Sequence, residues 1–341
     1  MKNRFLELDC LRGIAALLVV FFHVLGSTGI FGIGVTGVDL FFIISGFVIF
    51  LSINSVSTGK EFAINRISRL YPTYWVCVTI TFILICYSGF HSHQHIHLKT
   101  YVANMTMFQY YLGVPDLDGP YWTMIIEMIF YILILMLFTF NLLKHIMSIG
   151  LGINFILLIN SLLRLNSLPF IGTYYLPLLN FFPLFFAGIV FYKIYHQQQS
   201  HINKYLLLLS CYATQIMLYK FTRASWRLSQ MEYAVMLTLY FSLFVLFANG
   251  WLKFIVYKPI LFLGKISFSL YLIYQFFLQS IVIPYLKRTF NLTQMGAVLI
   301  AVPLTILLAT LINKYFELPL GKRMKKTLTN TFNRKTLTQS V

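Results

Sequence analysis

The sequence predicts an all-α integral membrane protein of about ten transmembrane helices with both termini in the cytoplasm. Three observations carry that reading. First, 59% of the 341 residues are hydrophobic and only 10% are charged, whereas about a quarter of a soluble domain is charged. Second, the apolar residues fall in runs close to the ~20 residues that a helix needs to cross the hydrocarbon core, separated by polar or Gly/Pro punctuation. Third, lysine and arginine are spread unevenly over alternate loops, as orientation in a bilayer requires. A net charge of +17 would suggest nucleic acid in a soluble chain. Here the excess sets topology, so membrane lipids and not nucleic acid are the expected surroundings.

Taken in order, the ten candidate spans are 9–26, 36–53, 73–90, 121–140, 146–163, 171–192, 204–221, 232–250, 259–283 and 296–315. The first is apolar from Cys10 onward, carries Arg12 within it and lacks a small-residue cleavage pattern, so it is expected to stay in the mature protein. The longest loop, between the third and fourth spans, has room for a short interfacial helix over 101–112. Near the end, Pro319 in the string FELP, which includes Glu317, is expected to stop the last helix. The chain thus reads as one membrane domain, 1–320, and a mobile, basic cytoplasmic tail, 321–341, with no repeat or soluble domain. With the amino terminus inside, sixteen lysines and arginines fall in inner segments and seven in outer ones, among them Lys220, Arg223 and Arg227. That bias fixes the orientation.

Ionisable residues inside such runs are expensive and call for a reason. Arg12 and His23 are eleven residues apart, three turns plus about 20°, so they share one helix face about 16 Å apart along the axis. Arg12 alone reads as a snorkelling residue paired with Asp9, and His23 alone as a satisfied polar group between helices. Asp39 at the start of the second span and Glu127 early in the fourth are expected at a level similar to His23, toward the outer face. Arg66 and Arg69 lie one turn apart before the third span, where positive-inside topology would suffice to explain them. Together these groups suit a reaction between a phosphate-rich donor in the cytosol and an acceptor in the outer half of the membrane. Arginines hold phosphates, and a histidine beside a carboxylate can take a proton from a weak nucleophile such as a sugar hydroxyl. Proton-coupled transport would use the same residue types.

Ser45 could serve as a nucleophile, but a small residue beside Gly46 fits close helix packing better. His91, His93, His95 and His97 alternate in an outer loop, and incidental spacing explains them better than a metal site. Cys10, Cys77, Cys86 and Cys211 show no pairing or metal-ligand spacing.

The strings LDCLRGIAALLVVFFH, GVDLFFIISGFVI, RISRLYPTYW, GPYWTMIIEMIFY and LGKISFSLYLIYQFF occur in an order and spacing that resemble the motif series of the acyltransferase 3 family. Members are bacterial multi-helix enzymes that acylate hydroxyls of surface polysaccharides and related glycans. The resemblance runs from Leu8 to about Phe277. It implies an acyl-CoA co-substrate, most often acetyl-CoA, with no bound cofactor, a glycan or lipid-linked sugar acceptor, and a place in the bacterial cytoplasmic membrane. It also implies that His23 is the essential histidine and sets Asp39 and Glu127 in the second- and fourth-helix motifs, where one carboxylate or the other is expected to orient the imidazole in catalysis. Arg12, Arg66 and Arg69 would bind the acyl-CoA phosphates, and Ser45, Trp122 and Tyr274 would lie at the substrate. Thr123 and Ile125 stand where the family favours serine, Cys10 where it favours glycine, and Tyr274 where a histidine is frequent. A transporter of glycan or acyl units, or an export subunit without bond-forming activity, stays open as the alternative.

Overall fold

The computed structural model describes residues 5–26, 31–88, 98–163, 165, 167–196 and 202–338. Among them there is no β-strand; the chain is a succession of helices. They are α1 (Leu6–Leu25), α2 (Gly37–Ile53), α3 (Gly59–Ser88), α4 (Leu98–Met105), α5 (Trp122–Thr139), α6 (Ile146–Leu162), α7 (Ser167–Tyr174), α8 (Phe182–His196), α9 (Ile202–Met217), α10 (Gln230–Ala248), α11 (Lys258–Phe276), α12 (Ile283–Phe290), α13 (Gln294–Ile312) and α14 (Leu318–Thr338). Eight helical segments among the described residues are long and apolar enough to cross a bilayer. Large apolar side chains stay exposed on them, for example Phe155 and Ile156 on α6, Val235 and Leu239 on α10, and Leu299 and Leu307 on α13. A soluble protein would hide such faces, whereas lipid tails are as apolar as the side chains themselves. The protein is a multi-pass membrane protein.

The two remaining expected spans fall on shorter helices. In place of 171–192 the chain makes α7, a 3-10 turn over Pro177–Asn180, and the fifteen-residue α8. Pro177 removes a donor at the break and fixes φ, which ends one helix before the next begins. In place of 204–221 stands α9, sixteen residues long, which includes Lys204, Ser210, Thr214 and Gln215. Two other helices run further than punctuation suggests. α3 starts at Gly59 and carries Pro72 inside it. The last expected stop is also overridden: Asn313–Glu317 is a π-helical segment, and Pro319 follows it near the start of α14, so Gln294–Phe332 forms one continuous helical stretch. A π turn shifts the hydrogen-bond register, so a proline just beyond it no longer interrupts a regular ladder. The basic tail is therefore helical through Thr338. The interfacial helix expected over 101–112 appears as α4, which ends earlier, at Met105. Met107 then takes a positive φ of 65°.

The described chain divides into two compact units, one made of Met1–Ser55 with Ile126–Lys265, the other of Val56–Ile125 with Ile266–Val341. The first is built on tight glycine contacts. A Cβ on Gly46 of α2 would lie 2.0 Å from the Phe185 carbonyl oxygen, and one on Gly188 of α8 would lie 2.2 Å from that of Ile43. α1 meets the start of α11 the same way, with Gly264 against the Asp9 carbonyl and Gly13 against that of Ile260. In lipid, where apolar burial drives little association, such backbone approach holds helices together through dispersion contacts. In the second unit α14 packs along α3, with Gly321 against the Ser68 carbonyl.

Candidate active site

In the first unit, α1 places Arg12 near its amino-terminal end and His23 in its last turn. The Arg12 guanidinium stands 3.7 Å from the carboxylate of buried Asp9. This is the local ion pair expected for a cation one turn into a membrane helix. His23 is half-buried. Its Nδ1 lies 2.9 Å from the Val19 carbonyl oxygen. A carbonyl can only accept, so Nδ1 carries a proton, and in the neutral ring the basic lone pair sits on Nε2.

Asp39, on the first turn of α2, is buried and accepts a hydrogen bond of 3.4 Å from the Tyr233 hydroxyl. Gln215 donates to that same hydroxyl, and the Thr36 and Tyr240 hydroxyls pair at 2.7 Å nearby. Glu127 accepts from Ser45 at 2.9 Å and from Tyr131. Among the described residues neither carboxylate hydrogen-bonds His23. The Val19 carbonyl, one turn back on α1, accepts from the imidazole.

The three titratable groups do not share one level. Gly37 packs against the Ala15 carbonyl and the Val19 side chain, and Gly34 against Leu18 and Phe22. Since α2 runs back along α1 from there, Asp39 lies about two helical turns from His23 along the axis. Ser45, which holds Glu127, lies six residues beyond Asp39, about 9 Å further on. The sequence places α2 too high because the 3-10 segment Gly32–Thr36 occupies the level at which the apolar run starts. Ser45, next to the close crossing expected at Gly46, also makes a polar contact. Gly46 and Gly188 make the close crossing, and the Ser45 hydroxyl serves the carboxylate.

The second unit carries the other candidates. Arg66 and Arg69 lie on α3, the first half-buried with its guanidinium 5.7 Å above the Phe62 ring, the second exposed. Trp122 opens α5 and is half-buried. Tyr274 is buried in α11, with its hydroxyl 3.5 Å from the Gln275 side-chain oxygen. Thr123, in the place of the more usual serine, donates to the Pro120 carbonyl and pairs with the Tyr271 hydroxyl at 3.0 Å.

One carboxylate escaped the sequence reading. Asp118 is buried, accepts from the Gly119 N–H at 2.8 Å and from the Phe276 N–H at 3.1 Å, and so ties the start of α5 to α11 where the π segment Phe277–Val282 begins. Burial pushes its carboxyl up to about 7 against the pull of those two N–H donors. The signal was present as Asp-Gly-Pro, a capping residue with proline in the first turn. His91, His93, His95 and His97 lie outside the described residues.

A stretch of 155 residues is 26% identical to a curated protein of Acidianus two-tailed virus named "Putative acetyltransferase ORF330", covering 44% of this chain and 46% of that protein. The match thus spans about half the length of that relative, at 46%. No solved structure matches the chain. The family model described as an acyltransferase domain matches residues 5–314, a stretch that holds all five motif strings and every candidate residue above, and the chain belongs to that family, acyltransferase 3.

Proposed function

We propose that the protein is a membrane-bound O-acyltransferase that moves an acyl group, most simply acetyl from acetyl-CoA, to a hydroxyl of a cell-surface polysaccharide or lipid-linked glycan. Its place is the bacterial cytoplasmic membrane. The observation that carries this reading is the 2.9 Å contact between His23 Nδ1 and the Val19 carbonyl oxygen, which in the neutral ring makes Nε2 the base on a membrane-spanning helix. In the reaction Nε2 takes the proton of the acceptor hydroxyl as its oxygen attacks the thioester carbonyl carbon. The carbon–sulfur bond breaks, and the CoA thiolate leaves with the proton returned from the imidazolium. Arg12 in the first unit, and Arg66 with Arg69 in the second, each supply a guanidinium suited to phosphates of the donor. Family membership supports acyl transfer as the reaction class, and the printed name of the viral relative points to acetyl as the group.

The test is acetyl-CoA consumption by membranes carrying the wild type or His23→Ala, with and without a glycan extract from the host. Acceptor-dependent CoA release by the wild type, lowered at least 100-fold in the variant, is expected for loss of a general base. Export of glycan without any CoA release would replace the enzyme with a transporter. Equal rates in the two proteins would remove His23 as the base.

A further inference from the structure

The path of α14 gives the basic tail a place in the site. A Cβ on Gly321 would lie 3.0 Å from the Ser68 carbonyl oxygen, which sits between Arg66 and Arg69 in sequence. Glu317, four residues before Gly321, lies within electrostatic reach of Cys77, nine residues beyond Ser68. As α14 advances it therefore runs back along α3, and the two helices are antiparallel. Met324 and Leu328 are half-buried while Lys322, Arg323, Lys325 and Lys326 are exposed. Gly321, Met324 and Leu328 thus form the strip that meets α3.

In an antiparallel pair, equal positive rotations away from the contact line lead to the same side on both helices. At about 100° per residue, Arg69 is about 100° past Ser68 and Arg66 about 160° past it. On α14, Lys325 is about 40°, Lys322 about 100° and Lys326 about 140° past Gly321 in the same sense. At about 1.5 Å rise per residue Arg66, Arg69, Lys322 and Lys325 occupy a band about 7.5 Å high, with Lys326 just beyond it. Arg323, about 200° round, falls on the other side. The acids that these helical stretches carry are engaged elsewhere: Glu61 accepts from the Ser57 N–H and Glu317 from the Ser269 hydroxyl. Like charges brought together repel, and a polyanion is what such an arrangement is shaped to hold.

We propose that Lys322 and Lys325 complete, with Arg66 and Arg69, a binding site for the phosphates of a nucleotide-bearing acyl donor, so that α14 is one wall of the donor site. This rests on acyl-CoA being the donor. Coenzyme A suits the pattern because its 3′-phosphate and pyrophosphate spread negative charge over several contacts, which the cations of this band can share.

The full-length protein, purified in a neutral maltoside detergent, is titrated with acetyl-CoA. The expected result is about a tenfold or greater loss of affinity in Lys322→Ala/Lys325→Ala, little change in Arg323→Ala, and recovery in Lys322→Arg/Lys325→Arg. The arginine pair also guards against a folding defect in the alanine pair. Equal affinity for wild type and the alanine pair overturns the proposal and leaves the acyl-CoA reading intact. An equal loss from Arg323→Ala also overturns it, because net charge alone would then account for binding. If the alanine pair keeps its acetyl-CoA affinity and loses only activity in phosphatidylglycerol vesicles relative to phosphatidylcholine ones, the cations serve lipid headgroups and the proposal fails. A wild type that binds no acetyl-CoA overturns this site and the donor assignment together.

Discussion

The Glu127 carboxylate is held from two sides, by Ser45 and Tyr131. That arrangement separates the roles of the three side chains. A glutamine at 127 still offers an oxygen to both hydroxyls, so Glu127→Gln should fold and express like the wild type while its turnover falls by about 100-fold if the negative charge is used in the reaction. Turnover and thermal unfolding measured on one preparation check this. Ser45→Ala should retain activity within about tenfold, since Tyr131 still donates and one neutral hydrogen bond contributes about 1 kcal/mol. An inactive Ser45→Ala protein that no longer traps radiolabelled acetyl would show instead that the serine carries the acyl group. Asp118 makes a prediction in pH. Its folded-state carboxyl lies at about 7, above the ordinary value of 3.8, so between those values the folded protein binds a proton that the unfolded chain does not. Stability should therefore fall as pH rises from about 4 to about 7, and Asp118→Asn, neutral at all pH, should flatten that slope in melting curves. Residue identities were the most legible layer of the chain. Arg12, His23, Asp39 and Glu127 stood out because charge inside an apolar run is costly whatever the fold. Their partners were not legible, since Tyr233 is 194 residues from Asp39 and Ser45 is 82 from Glu127.

Helix contacts without a Cβ set the tolerance of the elements. At Gly46 and Gly188 the added methyl group would meet backbone, not a movable side chain. Gly46→Ala and Gly188→Ala should each destabilise the first unit by about 1–3 kcal/mol, the usual cost of forced overpacking. Gly152 on α6 meets nothing within 4 Å, so Gly152→Ala should be neutral or slightly stabilising through helix propensity. Unfolding in a detergent series reads all three, and an unharmed Gly46→Ala protein would show that α2 and α8 can move apart. Most elements were visible as apolar runs of sufficient length. What failed was punctuation by proline. Pro72 lies inside α3, Pro319 follows a π segment, and Pro177 marks a break that the run 171–192 conceals. A proline can only be weighed once the hydrogen-bond register around it is known, and register is decided by packing.

At the scale of the whole chain, the candidate residues alternate between the two units along the sequence. Arg12, His23, Asp39, Ser45 and Glu127 belong to one, and Arg66, Arg69, Trp122 and Tyr274 to the other. No window of sequence contains a unit, which is why the apolar pattern reads as one uninterrupted domain. Orientation is the property that the function leans on most. A cytosolic acyl-CoA donor, as proposed above, requires Arg66 and Arg69 to face the cytosol, and the lysine and arginine bias predicts that orientation. Cys86 tests this without adding a reporter. It is exposed, while Cys10, Cys77 and Cys211 are buried. It stands 27 residues along α3 from Gly59, about 40 Å, which matches a bilayer with its headgroups. A membrane-impermeant maleimide should therefore label intact spheroplasts at Cys86, and Cys86→Ser should abolish the signal. In that background Thr327→Cys, on α14, should label only after permeabilisation. The reverse pattern would put the arginines of α3 outside the cell, where acyl-CoA is absent, and no rearrangement of His23 or its neighbours would rescue a cytosolic donor.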